Sequence, residues 1–134
     1  MKTHGKYLLD TCVCIGLINE KPSVVEMVRH AGIDNCKISE ITLAELFFGA
    51  FKSGQQKHFD DVDKIKELFE QYPITNRLKE YGEIRWQLEH TGMKIDHFDT
   101  LIAATALQED LTLVTGNIKH FNRIPGLRIE NWME

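Results

Sequence analysis

Two periods of hydrophobic and polar residues alternate along the chain, one suited to strands and one to helices. Lys6-Tyr7-Leu8-Leu9 is a short apolar run ending at Asp10-Thr11, which predicts a buried strand. Residues 12–20 are apolar on nearly every side and predict a buried helix. Ser23 is placed to cap a second helix that carries Val24, Val25 and Val28 and stops near Gly32. Cys36-Lys37-Ile38-Ser39 predicts the next strand. In "ITLAELFFGAF", Leu43, Leu46, Phe47, Ala50 and Phe51 follow helical spacing. Phe59, Val62, Ile65, Leu68 and Phe69 form the apolar stripe of an amphipathic helix, with Lys64, Lys66, Glu67 and Glu70 as its solvated part. Tyr72-Pro73-Ile74 predicts a brief strand, and Leu78, Tyr81, Ile84 and Leu88 a helix running to Gly92. A helix over 97–109 carries Phe98, Leu101, Ile102, Ala103, Ala104, Ala106 and Leu107 and should be deeply buried. It leads into a strand over 111–115, a short basic segment, the turn "IPGL" and a last strand over 128–130.

Strands alternating with helices predict an α/β fold with a mainly parallel sheet covered on both faces. Binding sites in such folds lie beyond the carboxyl ends of the strands, where Asp10 and Asn117 both stand. With 134 residues, 43% of them hydrophobic, the chain can bury a full core, and a single domain over 1–134 is the expectation. No run approaches ~18 consecutive apolar residues, and the polar start MKTHGK does not read as a signal peptide. A soluble, cytoplasmic protein with no membrane partner is expected. The net charge of −4 argues against binding phosphate backbones through bulk charge, but leaves room for a nucleic-acid enzyme with local or metal-supplied contacts. Three cysteines, at 12, 14 and 36, suit a reducing compartment. Cys12-x-Cys14 has no second pair or nearby histidine for zinc, and all three read as small core hydrophobes.

The acidic residues carry the candidate chemistry. Taken alone, Asp10 or Thr11 reads as the cap of the helix that follows, while the position and residue type of Asp10 also fit a metal-binding carboxylate at a strand tip. Glu45 lies opposite the stripe of Leu43, Leu46 and Phe47 but is flanked by Phe48 and Gly49, which suggests a partly buried carboxylate in need of a cation. In "KIDHFDTLIAA", Asp96 and Asp99 stand three apart at the start of the buried helix. Asp96 is read as its N-cap, and Asp99 as the acid that meets the crevice of Asp10 and Asn117. Carboxylates converging at strand tips match the oxygen donors that Mg²⁺ or Mn²⁺ needs, and point to metal-assisted phosphodiester hydrolysis. Thr11 and Thr115 are hydroxyls that either support these acids or bond the local backbone. His97 is either an exposed first-turn histidine or a proton shuttle. Lys119, His120, Arg123 and Arg128 form the densest basic cluster, for RNA backbone or as scattered surface charge.

Four ordered blocks, "YLLDTCVCIGLI", "ISEITLAELFFGA", "DHFDTLIAATALQEDLTLVTGN" and "FNRIPGLRIENW", resemble those of the PIN-domain family, and within it the VapC-type toxins. The resemblance spans nearly the whole chain. It implies a PIN-like three-layer α/β/α sandwich and an Mg²⁺- or Mn²⁺-dependent endoribonuclease, dimeric and inhibited by a cognate VapB-type antitoxin. The family's acidic positions fall on Asp10, Glu45 and Asp99, and its fourth polar position on Asn117 of Thr115-Gly116-Asn117. The implied products carry 5′-phosphate and 3′-hydroxyl ends. Asn117 departs from the aspartate of many members, which removes one negative charge and weakens a second metal site. Asp96, just before His97, is the nearest residue to supply part of that charge.

Two other classes compete. One is a PIN-like module that holds RNA or an antitoxin without cutting; the intact acids argue against it, and Asn117 leaves it some room. The other is a phosphotransfer or receiver-like domain. A dehalogenase-type pattern needs a second aspartate where Cys12 stands, and a receiver needs paired acids on its first strand and a late strand-end lysine.

Overall fold

The computed structural model describes residues 6–134; the start of the MKTHGK segment lies outside the described residues. Five short strands form one sheet: β1 (Tyr7–Leu9), β2 (Cys36–Ser39), β3 (Glu70–Tyr72), β4 (Thr112–Val114) and β5 (Ile129–Glu130). Their order is β3-β2-β1-β4-β5 and every pairing is parallel. Among the described residues, seven α-helices connect them: α1 (Thr11–Ile18), α2 (Pro22–Ala31), α3 (Glu40–Ser53), α4 (Gln56–Leu68), α5 (Leu78–His90), α6 (His97–Gln108) and α7 (Ile118–Phe121).

The central strands are apolar on both sides because both faces are covered. Leu9 and Val114 enter a core built with Val13, Val24, Leu46 and Ile65, from the layer of α1 to α4, and with Trp132 from the segment after β5. Their neighbours Leu8 and Leu113 enter the opposite core with Ile84, Leu88, Ile102 and Phe121, from α5, α6 and α7. The result is the three-layer α/β/α sandwich expected from the strand–helix alternation.

From β1 the chain moves outward to β2 and β3, then returns across the sheet to β4 on the other side of β1. The order therefore reverses between β1 and β4, and a crevice opens beyond their carboxyl ends. The Asp10 amide donates to the Val114 carbonyl at 2.9 Å, tying the two strand ends together at that point.

Four local expectations change. Ser23 is not a cap: α2 starts at Pro22, whose fixed φ suits a first turn, and Lys21 precedes it without a side-chain cap bond. The third strand is Glu70–Tyr72 rather than 72–74, because it pairs with Lys37–Ser39, and Pro73 has no N–H with which to extend the ladder. Phe51 is 74% exposed, since the buried face of α3 runs through Ile41, Thr42, Leu46 and Ala50; its ring meets Phe59 edge-on instead. Phe98 is exposed because it sits in the first turn of α6, ahead of the buried stretch from Thr100 to Ala106.

Candidate active site

Asp10 ends β1 and begins α1. Its Oδ1 accepts from the Thr11 amide at 2.8 Å and its Oδ2 from the Thr115 hydroxyl at 2.7 Å. The capping and cleft readings of Asp10 thus describe two oxygens of one carboxylate. Thr115, at the end of β4, also accepts the Asn117 amide hydrogen at 2.9 Å, so a single buried hydroxyl sets the position of both Asp10 and the Asn117 loop.

Glu45 comes from α3, which Ser39 starts by accepting the Ile41 amide at 3.0 Å. The Thr11 hydroxyl donates to Glu45 Oε1 at 2.5 Å and lies 3.2 Å from Thr42 Oγ1. Glu45 is half-buried, as the mixed character of its helix face suggests. Asp99 stands in the first turn of α6. Asp96 caps that helix, its Oδ2 accepting from the Phe98 and Asp99 amides at 3.0 and 3.4 Å. Asp99 is left free to face the crevice.

Asp10, Glu45, Asp99 and Asn117 line one cleft of about 610 Å³, with Thr11, Cys12, Ile15, Gly116 and Met133. The electrostatics register their convergence. Burial raises the carboxyl pKa of Asp10, and that of Glu45, which Asp10 and Asp96 raise further. Asp99 is pushed up to about 7, first by burial and then by the charges of Asp10, Asp96 and Glu45. Among the described residues, the one basic side chain within ion-pair distance of these three acids is His120, with Nδ1 4.0 Å from Asp99 Oδ2. The chain therefore gathers carboxylates without gathering the cations to neutralise them.

That imbalance fits a divalent cation. The donors are hard oxygens, as Mg²⁺ and Mn²⁺ require, and the cleft is open enough for water and a phosphate to complete the coordination. Among the described residues, no three His, Cys, Asp or Glu side chains are already drawn tightly enough together to hold an ion by themselves. An open acidic cleft, rather than a closed cage, suits an ion that keeps several waters.

The structure also redistributes the basic cluster expected near the C-terminus. Arg128 pairs with Asp110 at 2.9 Å, and Arg123 reaches the Met93 and Lys94 carbonyls at 3.4 and 3.3 Å. Of the cluster, His120 reaches the acidic centre, where its Nδ1 lies 2.8 Å from the Asn117 amide nitrogen. His97 is exposed, with Nδ1 3.3 Å from the Tyr81 hydroxyl. Cys14 and Cys36 are core residues, but Cys12 is only half-buried and forms part of the cleft wall, its Sγ accepting from the Gly116 amide at 3.4 Å.

Met133 has no counterpart among the sequence expectations. Trp132 is buried, and its Nε1 donates to Glu130 at 2.9 Å, which lays the last residues across the mouth of the cleft. A Cβ on Gly116 would stand 3.1 Å from Met133 Cγ, so glycine lets the tail pass close to the strand-tip loop. The "NWME" end carries no local signal of this role, because the contact joins segments apart in sequence.

Two expectations test the supporting groups. Thr115→Val removes the hydroxyl shared by Asp10 and Asn117 at nearly constant volume; metal affinity measured by calorimetry should fall roughly 10–100-fold. Unchanged affinity would show that Asp10 does not need this bond. Asp96→Ala should cost about 1 kcal/mol in denaturant unfolding, as the loss of a cap does. Asparagine caps nearly as well as aspartate, so alanine is the more informative replacement at this position.

The family profile described as "PIN domain" matches residues 7–127. The chain is 39% identical over 132 residues to Ribonuclease VapC2 of Rickettsia felis, covering 94% of this chain and 97% of that protein. It is 35% identical over 129 residues to the tRNA(fMet)-specific endonuclease VapC of Salmonella typhimurium, covering 95% and 98%. Among solved structures, it is similar to VapBC2 from Rickettsia felis bound to a promoter DNA fragment, with a TM-score of 0.86, 38% identity and coverage of 94% and 98%. DNA-bound VapBC from Salmonella typhimurium gives a TM-score of 0.88 at 35% identity, covering 95% and 98%.

Proposed function

Because the chain belongs to the PIN-domain family, we propose that it is a divalent-metal-dependent endoribonuclease, the toxin of a toxin–antitoxin pair inhibited by a VapB-type antitoxin. The observation that carries this reading is the meeting of Asp10, Glu45 and Asp99 at the β1/β4 switch point with, among the described residues, only His120 within ion-pair distance of them. PIN-domain ribonucleases depend in general on divalent metals. Here the ion is Mg²⁺ or Mn²⁺, held by Asp10, Glu45 and Asp99, with Asn117 offering a neutral polar group at the cleft edge. When bound, it supplies Lewis-acid stabilisation of the negative charge that builds on the phosphate.

The chain's own groups do the positioning. Thr115 and the Thr11 amide orient the two oxygens of Asp10, and the Thr11 hydroxyl holds Glu45. Asp96 anchors the helix turn that presents Asp99. A water adds to phosphorus, the bond from phosphorus to the 3′-oxygen breaks, and that oxygen takes a proton. The products are a 5′-phosphate and a 3′-hydroxyl. His97, beside this cleft, is exposed to solvent and is not assigned a proton-transfer role.

Residues 1–134 form one PIN unit in this reading, acting in the cytoplasm as a homodimer. Among the described residues, no helix is long and apolar enough to cross a membrane. A module that binds without cutting is disfavoured, since the relatives carry ribonuclease and endonuclease names and the three acids share one cleft.

The relative named a tRNA(fMet)-specific endonuclease makes tRNA(fMet) the first RNA to test, followed by total RNA. Wild-type protein should cut with Mg²⁺ or Mn²⁺ and stop on chelation, and Asp10→Asn should not cut. No cleavage of any RNA by the wild type, or equal cleavage by the variant, would end the enzymatic reading.

A further inference from the structure

Beside the acidic cleft lies a second depression of about 530 Å³, lined by Arg85, Glu89, Lys94, Asp96, His97 and His120. His120 stands on the ridge between the two, 4.0 Å from Asp99 and 2.8 Å from the Asn117 amide. The depression brings together basic side chains from α5, the loop before α6, α6 itself and α7.

Arg85 is held in place. Arg85 Nε donates to Glu89 at 2.7 Å and Nη1 to the Tyr81 hydroxyl at 3.0 Å. Tyr81 in turn lies 3.3 Å from His97 Nδ1. Among the described residues, Arg85 Nη2 has no hydrogen-bond partner, which leaves one edge of the guanidinium for a ligand. Arg123 fixes the loop that carries Lys94 through the Met93 and Lys94 carbonyls, and Lys94 itself makes no ion pair among the described residues. Of the two acids present, Glu89 is committed to Arg85, and Asp96 accepts two amides at the positive end of α6. A guanidinium nitrogen and an exposed ammonium on one rim suit a phosphate oxygen.

We propose that this depression is a substrate subsite, in which Arg85 and Lys94 bind a backbone phosphate of the RNA flanking the scissile one. The inference rests on the nuclease reading of the neighbouring cleft. It places two positively charged side chains, Arg85 and Lys94, beside the cleft of a protein whose net charge of −4 opposes a polyanion. His97 and His120 border the strand as it passes from one depression to the other.

The test uses a short single-stranded RNA oligonucleotide that the wild-type protein cuts at one position with Mg²⁺ or Mn²⁺. Arg85→Gln and Lys94→Gln should each raise KM about tenfold. Each should also lower the slope of log KM against log salt by about 0.7, the loss of one phosphate contact to a single strand. Glu89→Gln, which frees Arg85 and removes a negative charge, should instead lower KM; a purely structural ion pair would not improve binding when broken. Replacing single backbone phosphates by neutral methylphosphonates should reveal one flanking position that raises KM in the wild type and adds nothing in Arg85→Gln. Unchanged KM and salt slope in both cation variants, or a methylphosphonate penalty that simply adds to theirs at every position, would overturn the subsite while cleavage continued. Failure of the wild type to cut any RNA would instead overturn the nuclease reading.

Discussion

Asp99→Asn is expected to reduce RNA cleavage on the order of 10³-fold, the scale of losing several kcal/mol of metal-dependent charge stabilisation. The same substitution should make the metal-free protein more stable at pH 7. Asp99 pays for its place in the cleft with a carboxyl pKa of about 7, raised by burial and by Asp10, Asp96 and Glu45. An asparagine of the same size carries no charge into that repulsion. Allowing for solvent at the cleft mouth, the gain should be about 2 kcal/mol, roughly 5–8 °C in Tm for a domain of this size. Melting curves of metal-free wild type and variant, run beside a cleavage assay, measure both effects. Loss of activity with loss of stability would mean that Asp99 is a structural residue of α6. Retained activity would remove it from the metal site.

The second large effect concerns pH and metal together. A carboxyl whose folded pKa is raised binds its proton more tightly in the folded state than in the unfolded chain. Its contribution favours folding most below its ordinary pKa, 3.8 for Asp99, and is lost progressively as pH rises towards about 7. Asp10 and Glu45 are raised in the same direction, chiefly by burial, and add to the trend. In the absence of metal, this cluster should therefore favour the protein near pH 5 over pH 7.5. Millimolar Mg²⁺ or Mn²⁺ should raise Tm at pH 7.5 by several degrees and much less at pH 5, because ligand binding stabilises only where the carboxylates are ionised. Asp99→Asn should flatten both dependences. A metal-induced rise in Tm that was equal at the two pH values, or that survived in Asp99→Asn, would separate ion binding from this cluster.

The paired acids of "KIDHFDTLIAA" divide as their positions imply. Asp96 bonds the first amides of α6, while Asp99 turns into the cleft. The cap was legible because capping joins groups two or three residues apart. The cleft position of Asp99 was legible less directly: a helix so apolar must be buried, and its N-terminus is where a polar group can still reach a crevice. The strand-end positions of Asp10 and Asn117 followed from the general geometry of parallel sheets. By contrast, the basic cluster at 119–128 was adjacent only in sequence, and Asp110 and the 93–94 carbonyls take two of its members elsewhere.

By itself, the sequence determined the alternation of strands and helices, the apolar faces that bury them and the acids at their ends. Each of these depends on periodicity or on bonds spanning a few residues. Tertiary structure decided which charges meet. The return of the chain from β3 across the sheet to β4 sets Thr115 against Asp10, and the pairing of β5 with β4 brings Met133 back against Gly116. These contacts arise from helix packing and strand order over long separations, where local pattern carries no information. They turn a row of well-spaced carboxylates into a cleft with a wall and a positioning hydroxyl.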